Sequence, residues 1–289
     1  MLDTLNHSFI ELGPLGLIVA ASIFGLLVGS FLNTVIHRLP QMLEREWQAA
    51  ALPADATEAP AERYDLAAPR SHCPACRAPI RWQHLVPVIS WLALRGRCRD
   101  CGAAISPRYP AVELLTATIF GICAWQFAGW ALLAALVISA GLIALTFIDL
   151  DTHYLPDQLT LPLLWLGLLA SLLPLGDLDS RFVASPRDAI LGAAIGYLAL
   201  WSVYQLFKLT TGKEGMGYGD FKLLAALGAW LGAPLLLPII LAASLAGALV
   251  GIVMIVALGH SRHQPIAFGP YLAVAGWLAL LFGNHWSGL

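Results

Sequence analysis

The chain has 289 residues, of which 58% are hydrophobic and 12% are charged, and its formal net charge is -2. Its mean hydropathy is +0.74, and its share of charged residues is about half that of soluble domains. This composition excludes an ordinary soluble globular protein and indicates a membrane protein. The charges are unevenly placed, because ten of the sixteen Lys and Arg residues lie between Arg38 and Arg108.

Long apolar segments predict the fold class. A helix of about twenty apolar residues crosses the hydrocarbon core of a bilayer, and the sequence contains eight segments of this kind. It therefore predicts an all-α polytopic membrane protein with about eight transmembrane helices. Asp3 and Glu11 precede the first segment, which is also too long for a signal peptide, so we expect it to remain as a span. The predicted spans are 12–36, 111–128, 130–148, 159–175, 189–207, 223–239, 240–259 and 267–283.

The basic residues beside these spans predict the orientation. Lys and Arg near span ends mark the cytoplasmic side, and the loop 37–110 carries ten of them. We expect this loop to form a small cytoplasmic domain between the first helix, 1–36, and a seven-helix core, 111–289. Both termini are then periplasmic. Asp149 ends the third span and Asp220 begins the sixth, so the two acids share the cytoplasmic face.

Two CxxC pairs in this loop predict a metal site. Cys73 pairs with Cys76, Cys98 pairs with Cys101, and 21 residues separate the two pairs. Pairs at this separation can place four thiolates tetrahedrally around a structural zinc ion. Disulfides are the competing interpretation, although a reducing compartment disfavours them. An iron-sulfur cluster is also allowed by the ligand count.

Several neighbouring features have structural interpretations. Four sulfurs complete a zinc shell, so we expect His72 and His84 to face solvent. Cys123, alone in the second span, is expected to be a small buried hydrophobe. The segment 49–60 is rich in Ala, Pro and acidic residues, and it predicts a flexible excursion. Small residues four apart, such as the glycines at 192 and 196, favour close helix packing.

Asp149 and Asp220 are the candidate catalytic residues. An acidic side chain near lipid costs free energy, so its presence there indicates a function. Gly215, Gly217 and Gly219 precede Asp220, and they permit close approach of another chain, such as a substrate backbone. Two neighbouring carboxylates cannot both ionise cheaply, so one keeps a proton while the other acts as base. Such a pair can activate water and protonate a carbonyl oxygen, which aspartic peptide hydrolysis requires.

Each acid also has a structural alternative. Asp149 could be a cap or an interfacial acid at a helix end, and Asp220 could be an N-cap, where aspartate is favoured. Their placement on one predicted membrane face favours the functional interpretation. Asp151 and Asp157 are expected to be supporting or solvated residues, and Asp157 could cap the fourth span.

Ordered motifs over nearly the whole chain carry a resemblance to a known family. Among them are the two CxxC pairs and Gly217-Tyr-Gly-Asp220. The chain closely resembles the type IV prepilin peptidases, which are bifunctional leader peptidase and N-methyltransferase enzymes of Gram-negative bacteria. The motifs lie at 29–40, 73–80, 98–101, 108–113, 149–157, 217–224 and 268–271.

The resemblance implies an aspartic membrane protease with a GxGD motif, in which Asp149 and Asp220 are the catalytic pair. It implies an enzyme of the bacterial inner membrane that removes the basic leader from prepilins and type II secretion pseudopilins at the cytoplasmic face. The new N-terminal residue is then methylated, with S-adenosylmethionine as the donor. The expected partners are these substrates and membrane lipid, and no nucleic acid.

The site of the methyl donor is not apparent from the sequence, because no glycine-rich cofactor loop follows a predicted strand. Arg108, Glu113 and the cytoplasmic loop are the places where we would look for it. Arg108 and Glu113 could equally be a pair at a helix end. Two other functional classes remain open for the chain. One is an ion-coupled transporter whose membrane acids relay protons, and the other is a membrane assembly factor whose zinc loop binds partners.

Overall fold

The computed structural model is all-helical over the residues that it describes, which are 13–51, 63–172, 184–213, 215–258 and 267–286. Within these ranges the β pairing consists of two isolated bridges, and short 3-10 turns lie at Trp82–His84 and Ala233–Leu235. The α-helices of these ranges are α1 Gly13–Ala51, α2 Ile89–Ala93, α3 Arg108–Gln126, α4 Gly129–Thr152, α5 Asp157–Leu172, α6 Pro186–Thr211, α7 Tyr218–Leu231, α8 Leu236–Leu258 and α9 Gly269–Trp286.

The helices confirm the predicted fold class in its coarser form, a helical protein with strongly apolar segments. Each predicted span coincides with one of the longer helices, α1 and α3 to α9. The helix α7 has 14 residues, which corresponds to about 21 Å. By length and composition, four helical segments of the described chain are long and apolar enough to cross a membrane: Gly13–Ala51, Gly129–Thr152, Pro186–Thr211 and Ala233–Ala257.

One predicted boundary is wrong. The sequence predicted that the sixth and seventh spans meet at 239 and 240, near Pro238, but the chain turns earlier, between α7 and α8. Gly232 ends α7 with φ +82°, a backbone conformation that glycine adopts without the cost of a side chain. Pro238 lies in the first turn of α8, where its missing N–H would have had no partner within the helix.

A second boundary also differs, because α1 continues well beyond the predicted end of the first span at 36. The helix runs through Pro40 to Ala51, so the start of the predicted excursion 49–60 is helical. The centre of that excursion lies outside the described residues. Good helix formers such as Glu44 and Gln48 continue the helix where its apolar character ends.

The described chain divides into two compact units, an N-terminal unit (Leu12–Trp125) and a C-terminal unit (Gln126–Leu289). In the N-terminal unit, α1 and α3 pack through small residues. A Cβ added to Gly25 would lie 2.7 Å from the Cα of Ala117, and one added to Gly29 would lie 2.7 Å from the Cα of Glu113. The close approach buries Cys123 completely, which confirms its interpretation as a buried hydrophobe.

In the C-terminal unit, α7 is the central helix and packs against α5, α6, α8 and α9. All residues from Leu223 to Trp230 are buried, as expected for a helix that is apolar on every side. Gly192 and Gly228 bring α6 and α7 into backbone contact, because a Cβ on either would overlap the carbonyl group of the other. A Cβ on Gly196 would lie 2.6 Å from the carbonyl oxygen of Leu224. The predicted close packing at these glycines is confirmed.

Candidate active site and metal centre

Asp149 lies in the last turn of α4, and its residue is 5% exposed. The helix ends at His153, which has φ 52° and donates its N–H to the carbonyl oxygen of Asp149. The side chain points elsewhere: its Oδ2 accepts a hydrogen bond of 3.0 Å from the N–H of Gly269. Asp149 therefore does not cap its own helix, and it satisfies an N–H group at the beginning of α9.

Asp220 is the third residue of α7 and is 8% exposed. The N-cap of this helix is Gly217, so the alternative interpretation of Asp220 as the N-cap is wrong. A carboxylate in the first turn is still favoured by the helix dipole. A Cβ added to Gly217 would lie 4.0 Å from Oδ2 of Asp220, which is ordinary van der Waals contact.

Leu155 links the segments that carry the two acids. It is 3% exposed, and its Cβ would lie 2.7 Å from a Cβ added to Gly219. A Cβ added to Gly269 would lie 3.1 Å from Cδ1 of Leu155 and 2.7 Å from Oδ2 of Asp149. The two glycines therefore allow the start of α7 and the start of α9 to close around Leu155, next to the acids.

Both acids lie beside glycines that pack against Leu155, Asp220 next to Gly219 and Asp149 against Gly269. The predicted pair Asp149 and Asp220 thus shares one buried neighbourhood. Asp151 is exposed. Asp157, the first residue of α5, accepts a two-oxygen ion pair from Nζ of Lys222, at 2.6 and 2.8 Å.

The glycines before Asp220 have separate roles that the sequence did not reveal. Leu155 of the same chain fills the space beside Gly219. The ring of Phe207 lies 2.7 Å from the position of a Cβ on Gly215. The rings of Tyr218 and Phe221, at the start of α7, contact the ring of Tyr204 of α6 in a tilted arrangement, with centroid distances of 5.4 and 5.7 Å. These rings form an apolar wall on the segment that carries Asp220.

The four predicted metal ligands come together in the N-terminal unit. The sulfur atoms of Cys73, Cys76, Cys98 and Cys101 all lie within 4.8 Å of one another, and those of Cys73 and Cys101 are 3.8 Å apart. Tetrahedral zinc with bonds of about 2.3 Å places its sulfur ligands about 3.8 Å from each other. All four cysteines are free thiols, so they could hold one metal ion.

Each CxxC pair lies on a turn with the same hydrogen bonds. The N–H of Arg77 donates to the carbonyl of Cys73, and the N–H of Gly102 donates to the carbonyl of Cys98. Arg77 and Gly102 both have positive φ, 58° and 74°. Hydrogen bonds from the backbone amides of Cys76 and Ala75 lower the pKa of the Cys73 thiol, which favours the thiolate that binds metals. Burial and the neighbouring cysteines raise the pKa of the Cys101 thiol.

Both histidines lie outside this cluster, but the expectation that both face solvent holds for His72 and is not met by His84. His72 is exposed, while His84 is half-buried and lies 3.2 Å from Nη1 of Arg99. Among the described residues, the group that could hold a metal ion contains the four cysteines and neither histidine.

Glu113, named from the sequence as a place to look for the donor site, is buried in α3 at 7% exposure. Its Oε2 accepts a hydrogen bond of 2.7 Å from the N–H of Val88, and its carboxylate also bonds the side chain of Ser30. Arg108 begins the same helix, and its N–H donates to Oγ of Ser106.

Comparison with known families gives the same division of the chain as the structure. Residues 23–127 match the bacterial peptidase A24 N-terminal domain, and residues 136–252 match the type IV leader peptidase family. A prepilin leader peptidase/N-methyltransferase of Aeromonas salmonicida is 56% identical over 271 residues, covering 91% of this chain and 89% of the relative. The chain belongs to the type IV leader peptidase family. The resemblance found in the sequence is therefore confirmed.

Other members of the type IV leader peptidase family are similarly close. The prepilin leader peptidase/N-methyltransferase of Stutzerimonas stutzeri is 52% identical over 282 residues, covering 96% of this chain and 94% of the relative. That of Pseudomonas aeruginosa is 51% identical over 275 residues, with 94% and 92% covered. No solved structure matched the chain.

Two contributors to the neighbourhood of Asp149 and Asp220 were given no role from the sequence. Gly269 supplies the N–H that binds Asp149, and Leu155 fills the space beside Gly219. Both lie inside motifs that carried the family resemblance, at 149–157 and 268–271. A glycine that begins a helix and precedes a proline was the available signal for close backbone approach.

Proposed function

We propose that the chain is a membrane aspartic endopeptidase that removes the leader peptide from type IV prepilins and type II secretion pseudopilins, and then N-methylates the new N-terminus. The observation that carries the proposal is the buried pair Asp149 and Asp220. Gly219 and Gly269 pack against Leu155 beside these acids, and the N–H of Gly269 donates a hydrogen bond to Asp149. The curated relatives bear both activities in their names.

Peptide hydrolysis by this pair needs one base and one acid. We assign the base to Asp149, because an N–H donor such as that of Gly269 favours the ionised form of a carboxylate. The base removes a proton from water, and the water oxygen attacks the scissile carbonyl carbon. Asp220, carrying a proton, donates it to the carbonyl oxygen. Asp149 then gives the proton taken from water to the leaving nitrogen, the carbon–nitrogen bond breaks, and Asp220 takes back a proton from the hydroxyl as the carbonyl re-forms. The leader leaves with a new carboxyl group and the remaining protein with a new amine.

The membrane arrangement follows from the charge rule. Eight spans with the loop 37–110 on the cytoplasmic side place Asp149 and Asp220 at the cytoplasmic face, with both termini periplasmic. A basic prepilin leader is retained in the cytoplasm by the same rule. The apolar helix of the substrate then stays in the lipid while its leader reaches the acids.

Methyl transfer uses S-adenosylmethionine as the donor. The new α-amine loses a proton to water, and its nitrogen attacks the methyl carbon. The carbon–sulfur bond breaks, its electrons remain on sulfur, and S-adenosylhomocysteine leaves.

We place structural zinc on Cys73, Cys76, Cys98 and Cys101, because four sulfurs fit its coordination and leave no position for substrate.

The transporter and the assembly factor have less support. The relatives are named for peptidase and methyltransferase activities. The two acids also lie near helix ends, Asp149 in the last turn of α4 and Asp220 in the first turn of α7, whereas a proton pathway is usually lined by acids along the membrane interior.

The pair is tested with Asp149→Asn and Asp220→Asn in the full-length protein, purified in detergent and incubated with a prepilin. Each variant should lose leader removal by at least about a hundredfold, because each removes one half of the acid–base chemistry. Mass analysis of the prepilin measures the cleavage.

Asp151→Asn is the matched control, because this acid lies two residues from Asp149 and is exposed. It should cleave at close to the rate of the unmodified protein. Normal cleavage by either Asp149→Asn or Asp220→Asn would refute the catalytic assignment.

A further inference from the structure

The apolar segment 80–92 lies between the two CxxC turns of the N-terminal unit and exposes six large apolar side chains. They are between 37% and 77% exposed: Ile80, Trp82, Leu85, Val86, Ile89 and Leu92. Single exposed apolar residues are ordinary on a protein surface, whereas a group of them marks an interaction site. Neither the acid pair nor the cysteine cluster includes these side chains.

The short helix α2 within this segment has one face turned into the unit and one face turned out. Ser90 is buried, and Nε1 of Trp91 donates a hydrogen bond of 3.1 Å to the carbonyl of Ile105. Ile89 and Leu92 are three residues apart on the helix and share the other face. The bonds of the residues between them therefore fix these two apolar side chains outward.

A hydrogen bond to Glu113 holds the apolar segment beside the first turns of α3. The N–H of Val88 donates to Oε2 of Glu113 at 2.7 Å. The backbone of Glu113 packs against Gly29 of α1, which lies inside the first predicted span, 12–36. Helical side chains lean toward the N-terminus of their helix, so this carboxylate reaches back toward the first turn of α3. The apolar segment is thus held level with the beginning of that helix.

The residues at this level are those of a membrane boundary. The side chain of Asn33 of α1 donates to the carbonyl of Tyr109 at 3.0 Å, so α1 and α3 are level there. Tyr109 is exposed, and tyrosine is enriched at membrane interfaces. Leu114 and Leu115, further along α3, are exposed apolar residues. The predicted span 111–128 begins between Tyr109 and these leucines, and the apolar segment lies beside that beginning.

The chain around the apolar segment is strongly basic. Positions 77 to 99 contain five arginines and no acidic residue. All five are exposed: Arg77, Arg81, Arg95, Arg97 and Arg99. Basic side chains are attracted to an anionic leaflet, and the long stem of arginine can lie on apolar surface while its charge reaches the headgroups. A basic prepilin leader, in contrast, would be repelled by these arginines.

A strained turn divides the exposed apolar residues into two groups. Val88 has φ 59° and ψ -51°, and the N–H of Ile89 donates to the carbonyl of Pro87 at 2.5 Å. This is the rare and strained form of the γ-turn, here on a β-branched residue. Such strain persists only where the surroundings hold it, and it is concentrated at functional segments. The bond from Glu113 supplies that hold, so the display of Val86 and Ile89 on either side of the turn indicates a function.

We propose that the apolar segment 80–92 docks on the cytoplasmic leaflet of the membrane. Its large apolar side chains lie among the acyl chains, and the neighbouring arginines contact the headgroups of anionic phospholipids. Interfacial segments elsewhere combine apolar and aromatic residues with basic ones in this way. The choice of leaflet rests on the proposed function, in which the loop 37–110 is cytoplasmic. Docking keeps the cysteine turns at the membrane surface, beside α1 and α3.

Photo-cross-linking in the full-length protein tests this docking surface. Ile89 is replaced with a photo-reactive diazirine amino acid, and the protein is placed in nanodiscs of phosphatidylcholine with or without phosphatidylglycerol. We expect phospholipid adducts at this position, and more of them when phosphatidylglycerol is present. The same replacement of Trp82, the most exposed of the six residues, should give the same adducts. Mass analysis identifies the molecule that is attached.

Trp47 provides the matched control position, because it is an exposed apolar residue of the same unit. It lies 14 residues beyond Asn33 on α1, which corresponds to about 21 Å. This distance exceeds the thickness of a headgroup region. The diazirine at position 47 should therefore give at least about fivefold fewer lipid adducts than at position 89.

The arginines are tested in the same nanodiscs. Arg81→Gln combined with Arg95→Gln should lower the lipid adducts at position 89 at least about threefold when phosphatidylglycerol is present, because two charges near the leaflet are lost. Arg70→Gln is the matched control, since Arg70 is an exposed arginine of the same loop outside positions 77 to 99. It should leave the adducts unchanged.

Adducts at positions 82 and 89 with the C-terminal unit, with a second copy of the chain or with an added prepilin, in place of lipid, would refute the docking. Equal lipid labelling at positions 47 and 89, or no effect of the paired arginine variant, would also refute it. Leader removal is measured on the same samples. Cleavage without lipid adducts refutes the docking alone, whereas lipid adducts without cleavage by the unmodified protein refute the proposed function alone.

Discussion

The N-terminal and C-terminal units bury their polar groups in different ways. In the C-terminal unit, helices touch backbone to backbone at Gly192 and Gly228, and buried acids lie at the ends of α4 and α7. In the N-terminal unit, α1 and α3 pack by the same small-residue rule, but the chain between them forms turns whose carbonyls and N–H groups bond one another. The chain thus combines a tightly packed helical core with a loop whose turns bring four cysteines together.

The largest effect is expected from breaking the backbone contact in the C-terminal unit. Gly228→Val should push α6 and α7 apart, because its side chain would overlap Gly192. We expect the free energy of unfolding to fall by about 3 kcal/mol or more, and we expect leader removal to be lost. Thermal unfolding in detergent measures the stability. Ala194→Val, on a neighbouring exposed position of α6, is the control and should unfold near the normal temperature.

Gly228 and the four cysteines belong to different compact units, so Gly228→Val should leave the metal content unchanged. A parallel loss of metal would contradict this separation. It would show that the cysteine turns depend on the helical packing of the other unit.

The next largest effect is expected from removing the metal. Cys73→Ser should lower the metal content well below about one ion per chain, since a structural zinc site needs all four ligands. The loop should lose stability because metal binding and folding of such sites are coupled. Metal analysis and limited proteolysis measure the two effects. The variant leaves the carboxyl groups of Asp149 and Asp220 in place, so residual leader removal is expected.

The Cys123→Ser variant is the matched control for the metal experiment, because Cys123 is a buried cysteine of α3 outside the metal cluster. Its metal content should be normal. Iron in place of zinc, or no metal in freshly reduced protein, would contradict the zinc assignment.

The smallest effect is expected from the ion pair at the edge of the acid site. The side chains of Lys222 and Asp157 are 26% and 43% exposed, so solvent screens their attraction. Lys222→Ala should cost less than about 1 kcal/mol and reduce cleavage only slightly. Thermal unfolding of Lys222→Ala, Asp157→Asn and the double variant measures the coupling. A loss of stability as large as that of Gly228→Val would mean that the packing of the C-terminal unit depends on this ion pair.

The sequence predicted the helical positions well because each one depends on a contiguous run of apolar residues. The boundaries that failed were those where apolar character did not change, as at Gly232, or where a polar helix followed an apolar one, as from Arg38 to Ala51. The cysteine cluster was also predictable, since CxxC spacing fixes two ligands locally and two such turns are enough to complete the set.

Sequence alone determined the composition of the apolar helices, the candidate metal ligands and the two candidate acids, because each depends on residues close together in the chain. Only the tertiary structure decided that Asp149 bonds Gly269, 120 residues away, and that Leu155 occupies the space beside Gly219. It also decided that α7 is central, and that Glu113 bonds the N–H of Val88. Such contacts depend on which helices pack together, and that choice is made by burial and close packing over the whole unit.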